Sequence, residues 1–181
     1  MLKHSNILAV DPGIHGAMAV LSHVYSEDYG HMVLLRSVRR LPTYLTKHTG
    51  GRARENLDLP ALTGMIQSYA PGQKPTLAVV EQVGAAPGQG VTSMFRFGYA
   101  AGAVAGACVA SGLSVAMIAP QKWQRWARKP AGKSGSLTHA KRLFPSQARL
   151  FTKSRAHNEA DAVLIGYAYF SEVLRVIPYT K

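Results

Sequence analysis

The sequence predicts an α/β fold built on a mixed five-stranded sheet flanked by helices. Three observations carry this. Two apolar runs, NILAVD (6–11) and AMAVLS (17–22), are joined by a tight connection, and a third, HMVLLRSV (31–38), follows a SEDYG turn. Two further runs, LAVVEQV (77–83) and LSVAMIA (113–119), each arrive after a stretch with helical spacing. Strands joined by short turns pair antiparallel, whereas strands reached through a helical crossover pair parallel. The alternation therefore implies a mixed sheet with helices packed on it.

Each element has its own signal. Residues 6–11 are apolar on both faces, as in a central covered strand, and Pro12-Gly13 stops the run. The stretch 39–56 is polar and basic, contains Gly50-Gly51 and reads as a mobile loop. From Leu57 to Tyr69, Leu59, Leu62, Ile66 and Tyr69 fall at helical spacing. A Gly/Pro-rich loop at 84–90 precedes a long helix over about 92–110. Short helices are predicted at 120–128 and 136–144, and a last one from Asn158 to about Val176. No repeat or linker divides the chain, so residues 1–181 are expected to form one domain.

Composition narrows the setting. The single cysteine, Cys108, excludes an intramolecular disulfide and fits a reducing compartment. The opening MLKHSNILAVDPG does not read as a secretory signal, so a cytoplasmic location is expected: bacterial, or that of the host if the chain is phage-encoded. Phe97 to Pro120 carries no charge and is long enough to span a bilayer. It is built of Gly, Ala and Ser more than Leu or Phe and is broken at Ser111-Gly112, so a helix followed by a strand is the better reading, with no membrane span.

Charge is the strongest compositional fact. The formal net charge is +12 and the pI about 10.1. Between Glu81 and Glu159 there is no Asp or Glu, while Arg96, Lys122, Arg125, Arg128, Lys129, Lys133 and five further Lys or Arg fall in that gap. Solvated surfaces ordinarily mix signs. A one-sign stretch is the footprint of a phosphate-backbone binder, although a solubility device or unspecific stickiness would also produce it.

The nine acidic residues can be sorted individually. Glu27 and Asp28 lie in a turn, Glu55 and Asp58 flank a helix start, and Glu172 is a face charge. Asp11 and Glu81 each end an apolar strand with no local cation, an expensive place for a carboxylate unless it is paired, protonated or bound to metal. If these strands are parallel neighbours, both acids emerge at the carboxyl edge, where open α/β sheets place their sites. Asp161 lies on the stripe of Leu164, Ile165 and Ala168 in the last helix. His157 and Asn158 fall on that face, and Glu159 is expected to point away, toward solvent. Three convergent carboxylates in a basic protein fit Mg²⁺ or Mn²⁺, which take oxygen ligands. Two such ions about 4 Å apart can promote phosphodiester cleavage. Each piece has a plainer reading: Asp11-Pro12-Gly13 as a turn, Glu81 paired with an unidentified cation, and Asn158 as an N-cap with Asp161 in the first turn.

At ILAVDPGIHGAMAV, VVEQVGAAPGQGVTSMFRFGYAAGAV, APQKWQRW, KSGSLTHAKRLFP and HNEADAVLIGYA the chain resembles the RuvC family of Holliday junction resolvases, in its phage or plasmid branch, over nearly its whole length. The resemblance implies an RNase H-like fold, a homodimer and Mg²⁺-dependent paired nicking of four-way DNA junctions. It places Asp11, Glu81 and Asp161 on metal-binding acids, and Lys122 and Lys133 where the family keeps basic residues for cleavage or DNA contact. It also implies that the helix at 92–110, with Gly98, Gly102 and Gly106 every four residues, contributes to the dimer; packing on the chain's own sheet is the alternative.

Two positions depart from the family pattern. The family commonly has Asp or His three residues before the last Asp, and here that residue is Asn158. It is either a weak oxygen ligand, a replacement for a natural Asp, or supplemented by His157. Some relatives carry an aromatic after the Glu-Gln-Val motif; here it is Gly84, and Phe95 is the candidate substitute.

The expected function is thus a metal-dependent, structure-selective DNA endonuclease giving 5′-phosphate and 3′-hydroxyl ends. The catalytic set is Asp11, Glu81, Asp161, Asn158, Lys122 and Lys133. The expected DNA contacts are Lys122, Arg125, Arg128, Lys129 and Lys133, with Arg39, Arg40, Arg52, Phe95 and Arg96 and the loops at 39–56 and 84–90. The alternatives are a junction-binding protein with weak or no cleavage, a branched-DNA endonuclease of broader selectivity, and an actin- or sugar-kinase-like ATPase. The last shares the strand–Asp–Gly–strand opening but has a second lobe for which 181 residues leave no room.

Overall fold

The computed structural model describes residues 6–47, 53–69, 74–84, 88–132, 134–151 and 156–174. In chain order the elements are β1 (Asn6–Asp11), β2 (Ala17–Ser26), β3 (Gly30–Arg40), β4 (Thr43–Thr46), β5 (Arg54–Leu57), α1 (Leu59–Gln67), β6 (Leu77–Glu81), α2 (Val91–Ala110), β7 (Ser114–Ile118), α3 (Pro120–Trp126), α4 (Gly135–Leu143), a 3₁₀ turn (Pro145–Phe151) and α5 (Ala156–Leu174).

Five strands form one mixed sheet in the order β3-β2-β1-β6-β7. The meander β1–β2–β3 is antiparallel, and β6 and β7 are added parallel to β1. The expected strand set and pairing are therefore present, with β2 and β3 longer than predicted because their hairpin continues beyond the core. One expectation fails. The stretch read as a basic loop contains a second, two-stranded antiparallel sheet, β4–β5, with Thr43 opposite Leu57 and Thr46 opposite Arg54. Its strands are only four residues each and too polar to show an apolar alternation.

Strand parity sorts the core into two layers. Ile7 and Ala9 of β1 and Leu77 and Val79 of β6 pack with α5, α3 and α4. Leu8, Val10, Ala78 and Val80 point to the opposite face, with α1 and α2. Successive side chains of a strand alternate faces, so Asp11 and Glu81, two residues beyond Ala9 and Val79, stand on the α5 face.

Two glycines allow the close contacts that set this geometry. A Cβ on Gly166 would overlap Leu21 and come within 3.0 Å of the Ala9 Cβ, so α5 lies directly on β1 and β2. A Cβ on Gly16 would overlap the Asp11 carbonyl oxygen and lie 2.7 Å from that of Gly13. The β1–β2 turn closes with Gly16 N–H donating to Gly13 O at 2.8 Å. Among the described residues no helix is long and apolar enough to cross a membrane.

Candidate active site

Asp11 is the last residue of β1 and Glu81 the last of β6; Val10 and Val80, just before them, are directly paired across the parallel ladder. The two carboxylates are thus neighbours at one sheet edge and on one face. Asp161 joins them from the second turn of α5.

Each acid has a hydrogen-bond donor. Gly13 N–H donates to Asp11 Oδ1 at 3.4 Å. The indole N–H of Trp123 donates to Glu81 Oε1 at 2.7 Å, and Ser136 Oγ donates to Asp161 Oδ1 at 2.5 Å. Trp123 is supplied by α3, which starts just past β7, the neighbour of β6; Ser136 comes from the first turn of α4. Both are buried. His139 fixes the two helices together through a 2.6 Å contact between its Nε2 and the carbonyl of Ala127.

Burial and like charge dominate the electrostatics of the three acids. Asp11 is pushed from 3.8 up to about 7, chiefly by burial and next by the Glu81 charge, with the Gly13 hydrogen bond opposing and Asp161 adding. Burial also raises Glu81, against the Trp123 hydrogen bond. It raises Asp161 too, against Ser136 and the charges of Lys129 and His157. Desolvation and like charge are what a bound divalent ion would relieve.

Beside the acids is a cleft of about 550 Å³ lined by Glu81, Trp123, Gln124, Lys129, Gly132, Ser136, His157 and Asp161. Asp11 is not part of its wall. Among the described residues no three His, Cys, Asp or Glu side chains are drawn into a ready-made metal-ligand group. The donor chemistry nevertheless fits a hard divalent cation: oxygen donors, half-buried, with no competing internal salt bridge to Glu81, Asp11 or Asp161 among the contacts seen.

The other predicted residues fall into distinct places. His157 is exposed and lines the cleft, as its face predicted. Asn158 sits within the first turn of α5, which begins at Ala156, so it is not the N-cap. Its Nδ2 donates to His15 O at 2.5 Å, tying α5 to the β1–β2 turn. Lys122 is stacked over the Trp126 ring, 4.5 Å from its centroid, outside the cleft; Lys129 is the lysine on the cleft wall. Lys129 follows Arg128, whose φ of 52° ends α3 in the left-handed region. Arg125, Arg128 and Arg39 are exposed, and Phe95 is 74% exposed. Arg96 donates to Glu55 O at 2.6 Å. Lys133 and Arg52 lie outside the described residues.

Glu159 corrects an expectation. It is 7% exposed, not solvent-facing, and Arg40 Nε donates to its Oε1 at 2.8 Å. The helical-face argument put it opposite Asp161, which holds; the opposite side of this turn is covered by β3, and a cation at that strand's end makes burial tolerable. Trp123 and Ser136 were missed as partners of the acids. Their only sequence signals are an indole one turn into a helix that follows a strand edge, and a hydroxyl at a helix start.

No family model matches the sequence, and no curated protein matches it. Solved structures do. The chain has the fold of Holliday junction resolvases, an RNase H-like mixed sheet with flanking helices. The Thermus thermophilus RuvC in complex with Holliday junction substrate superposes with a TM-score of 0.61 at 15% identity, covering 93% of this chain and 96% of that one. A second Thermus thermophilus RuvC structure gives 0.57 at 15% identity, over 96% and 99%. The yeast mitochondrial Holliday junction resolvase gives 0.53 at 12% identity, over 91% and 78%. The fowlpox virus Holliday junction resolvase gives 0.51 at 14%, over 93% and 99%.

Proposed function

We propose that this chain is a divalent-metal-dependent endonuclease that resolves four-way DNA junctions by paired nicking. One observation carries the reading: Asp11, Glu81 and Asp161, far apart in sequence, come together at one sheet edge on one face, half-buried and with no salt bridge to any of them among the described residues. The shared fold with solved junction resolvases supports it, as do the net charge of +12 and the acid-free stretch 82–158.

Asp11, Glu81 and Asp161 would hold Mg²⁺ or Mn²⁺, with His157 and the Asn158 amide oxygen at the rim. A metal pair bound there supplies a nucleophile at neutral pH and stabilises the leaving oxygen of a phosphodiester, giving 5′-phosphate and 3′-hydroxyl ends. The chain's own residues do the rest. Trp123 and Ser136 fix the rotamers of Glu81 and Asp161. Lys129 presents a cation on the cleft wall for the phosphate. Arg125, Arg128, Arg39 and Lys122 offer charge to the flanking backbone, and Phe95 an exposed ring to an unstacked base.

The paired cut needs two sites, and α2 offers a surface for a second copy. Gly98, Gly102 and Gly106 have open space above them, beside exposed Phe95, Tyr99 and Val109. The small-residue stripe therefore faces outward and not onto the chain's own sheet.

A second reading, a junction-binding protein with little cleavage, is favoured by one observation: Asn158, one helical turn before Asp161, is an amide, whose nitrogen donates to the His15 carbonyl and whose oxygen brings no charge to a metal. Incubating a labelled four-way junction with the protein and Mg²⁺ or Mn²⁺ decides between them. Nicking by the native chain that Asp11→Asn abolishes supports the nuclease; tight binding with no nicking in either ion supports the second reading.

A further inference from the structure

The β4–β5 sheet is the element that sequence reasoning did not foresee, and its base is joined to the acidic edge. Glu55 is the joint. Its Oε1 accepts from Thr43 Oγ1 at 2.7 Å, and its Oε2 lies 3.3 Å from His15 Nδ1. Its backbone carbonyl accepts from Arg96 of α2. His15 in turn sits in the turn that follows Asp11, and its carbonyl accepts from Asn158, one helical turn before Asp161. Leu41 N–H also donates to Gly16 O at 3.0 Å, and Leu41 and Leu57 are buried at the hairpin base.

The two faces of the hairpin differ. Thr43, Leu45, Glu55 and Leu57 share one face, which is buried at Leu57 and 67% exposed at Leu45. Tyr44, Thr46, Arg54 and Asn56 share the other, since strand neighbours alternate and Tyr44 pairs with Asn56 and Thr46 with Arg54. Tyr44 is 50% exposed, and Arg54 is exposed. An exposed ring beside a cation, with no acid on that face, is complementary to a nucleic-acid strand: a phosphate takes the charge and a base takes the ring.

We infer that the β4–β5 hairpin is a DNA-gripping arm whose outer face, through Tyr44 and Arg54, holds one strand of the substrate, and that Glu55 is a positioning residue fixing the arm to the Asp11 turn and so setting which phosphate reaches the acids. The register role rests on the reading of the acidic edge as a nuclease site; the DNA contact does not. The His15–Glu55 contact itself is half-exposed and adds little to stability. Its role is geometric, the carboxylate bridging hairpin and turn.

The test separates grip from register. Junction affinity is measured in EDTA, where no cleavage occurs. Tyr44→Ala weakens binding about tenfold, as expected for loss of a base–aromatic stack. Arg54→Ala weakens it and reduces the salt slope of log K by about one. Then, with Mg²⁺, cut positions are mapped on a junction at single-nucleotide resolution. Glu55→Gln, which keeps the Thr43 hydrogen bond, binds the junction within about twofold of wild type but spreads its cuts over neighbouring phosphates. Wild-type affinity and salt slope in both Tyr44→Ala and Arg54→Ala overturn the arm. A wild-type cut pattern in Glu55→Gln overturns the register role. A native chain that binds but cuts nothing in Mg²⁺ or Mn²⁺ overturns the nuclease reading and the register role with it, while the EDTA measurements still decide the grip.

Discussion

Asp11 carries the sharpest residue-scale consequence. Its folded pKa stands near 7 against 3.8 for the ordinary carboxyl. A raised acid pKa means that the folded state binds the proton more tightly than the unfolded one. Its contribution to stability is therefore complete below about pH 4 and is lost as pH rises through about 7. Glu81 and Asp161 shift in the same direction. In metal-free buffer the native chain should lose stability across that window, and Asp11→Asn should flatten the loss, becoming more stable than wild type by roughly 1–3 kcal/mol at pH 8. Urea midpoints at pH 5 and pH 8 measure this. Adding Mg²⁺ should raise the wild-type midpoint and leave that of Asp11→Asn nearly unmoved, since a ligand stabilises only the state that binds it. Gly16 is the opposite kind of residue, with no chemistry and no room. Gly16→Ala should cost at least ~2 kcal/mol through overlap with the Asp11 carbonyl, visible as a lower urea midpoint.

At the scale of elements, α2 makes a prediction that its glycines sharpen. A side chain at position 102 meets nothing within 4 Å inside the chain, and leucine is a better helix former than glycine by about 0.8–1 kcal/mol. Gly102→Leu should leave thermal unfolding of the monomer unchanged or slightly raised while shifting sedimentation toward monomer. Lowered stability with an unchanged dimer would mean that the stripe packs internally after all. Elements also mark the limit of what the sequence discloses. The five core strands and α1, α2 and α5 were legible because apolar periodicity records burial, and Asp11 and Glu81 were legible as acids ending apolar runs. The β4–β5 hairpin was not, because its strands bury only Leu57 and are held by polar contacts with no sequence period. Glu159 was misread because a helical wheel reports faces and not what covers them. Trp123 and Ser136 escaped because their partners are remote in sequence.

For the whole molecule, charge sets the expectation. Twenty-one Lys and Arg against nine Asp and Glu, with three of the nine committed to the site and Glu159 to Arg40, leave a surface strongly positive toward polyanions. Junction affinity should fall linearly in log K against log salt with a slope of several units, at about 0.9 per phosphate neutralised on duplex DNA. Titration between 50 and 200 mM salt checks it. A flat response would shift the weight of binding from backbone charge to stacking by Tyr44 and Phe95.

Gly166 acts on this site as a fulcrum. It stands five residues, about 7.5 Å along the helix axis, from Asp161, at the point where α5 rests on Ala9 and Leu21. Volume added there must be taken up by moving α5 relative to β1 and β2. A change confined to hydrocarbon, touching no carboxylate, would then shift Asp161 relative to Asp11 and Glu81, so Gly166→Ala should weaken divalent-ion affinity if the three acids are the proposed metal site, a methyl-sized clearance inside the core setting the spacing of its edge.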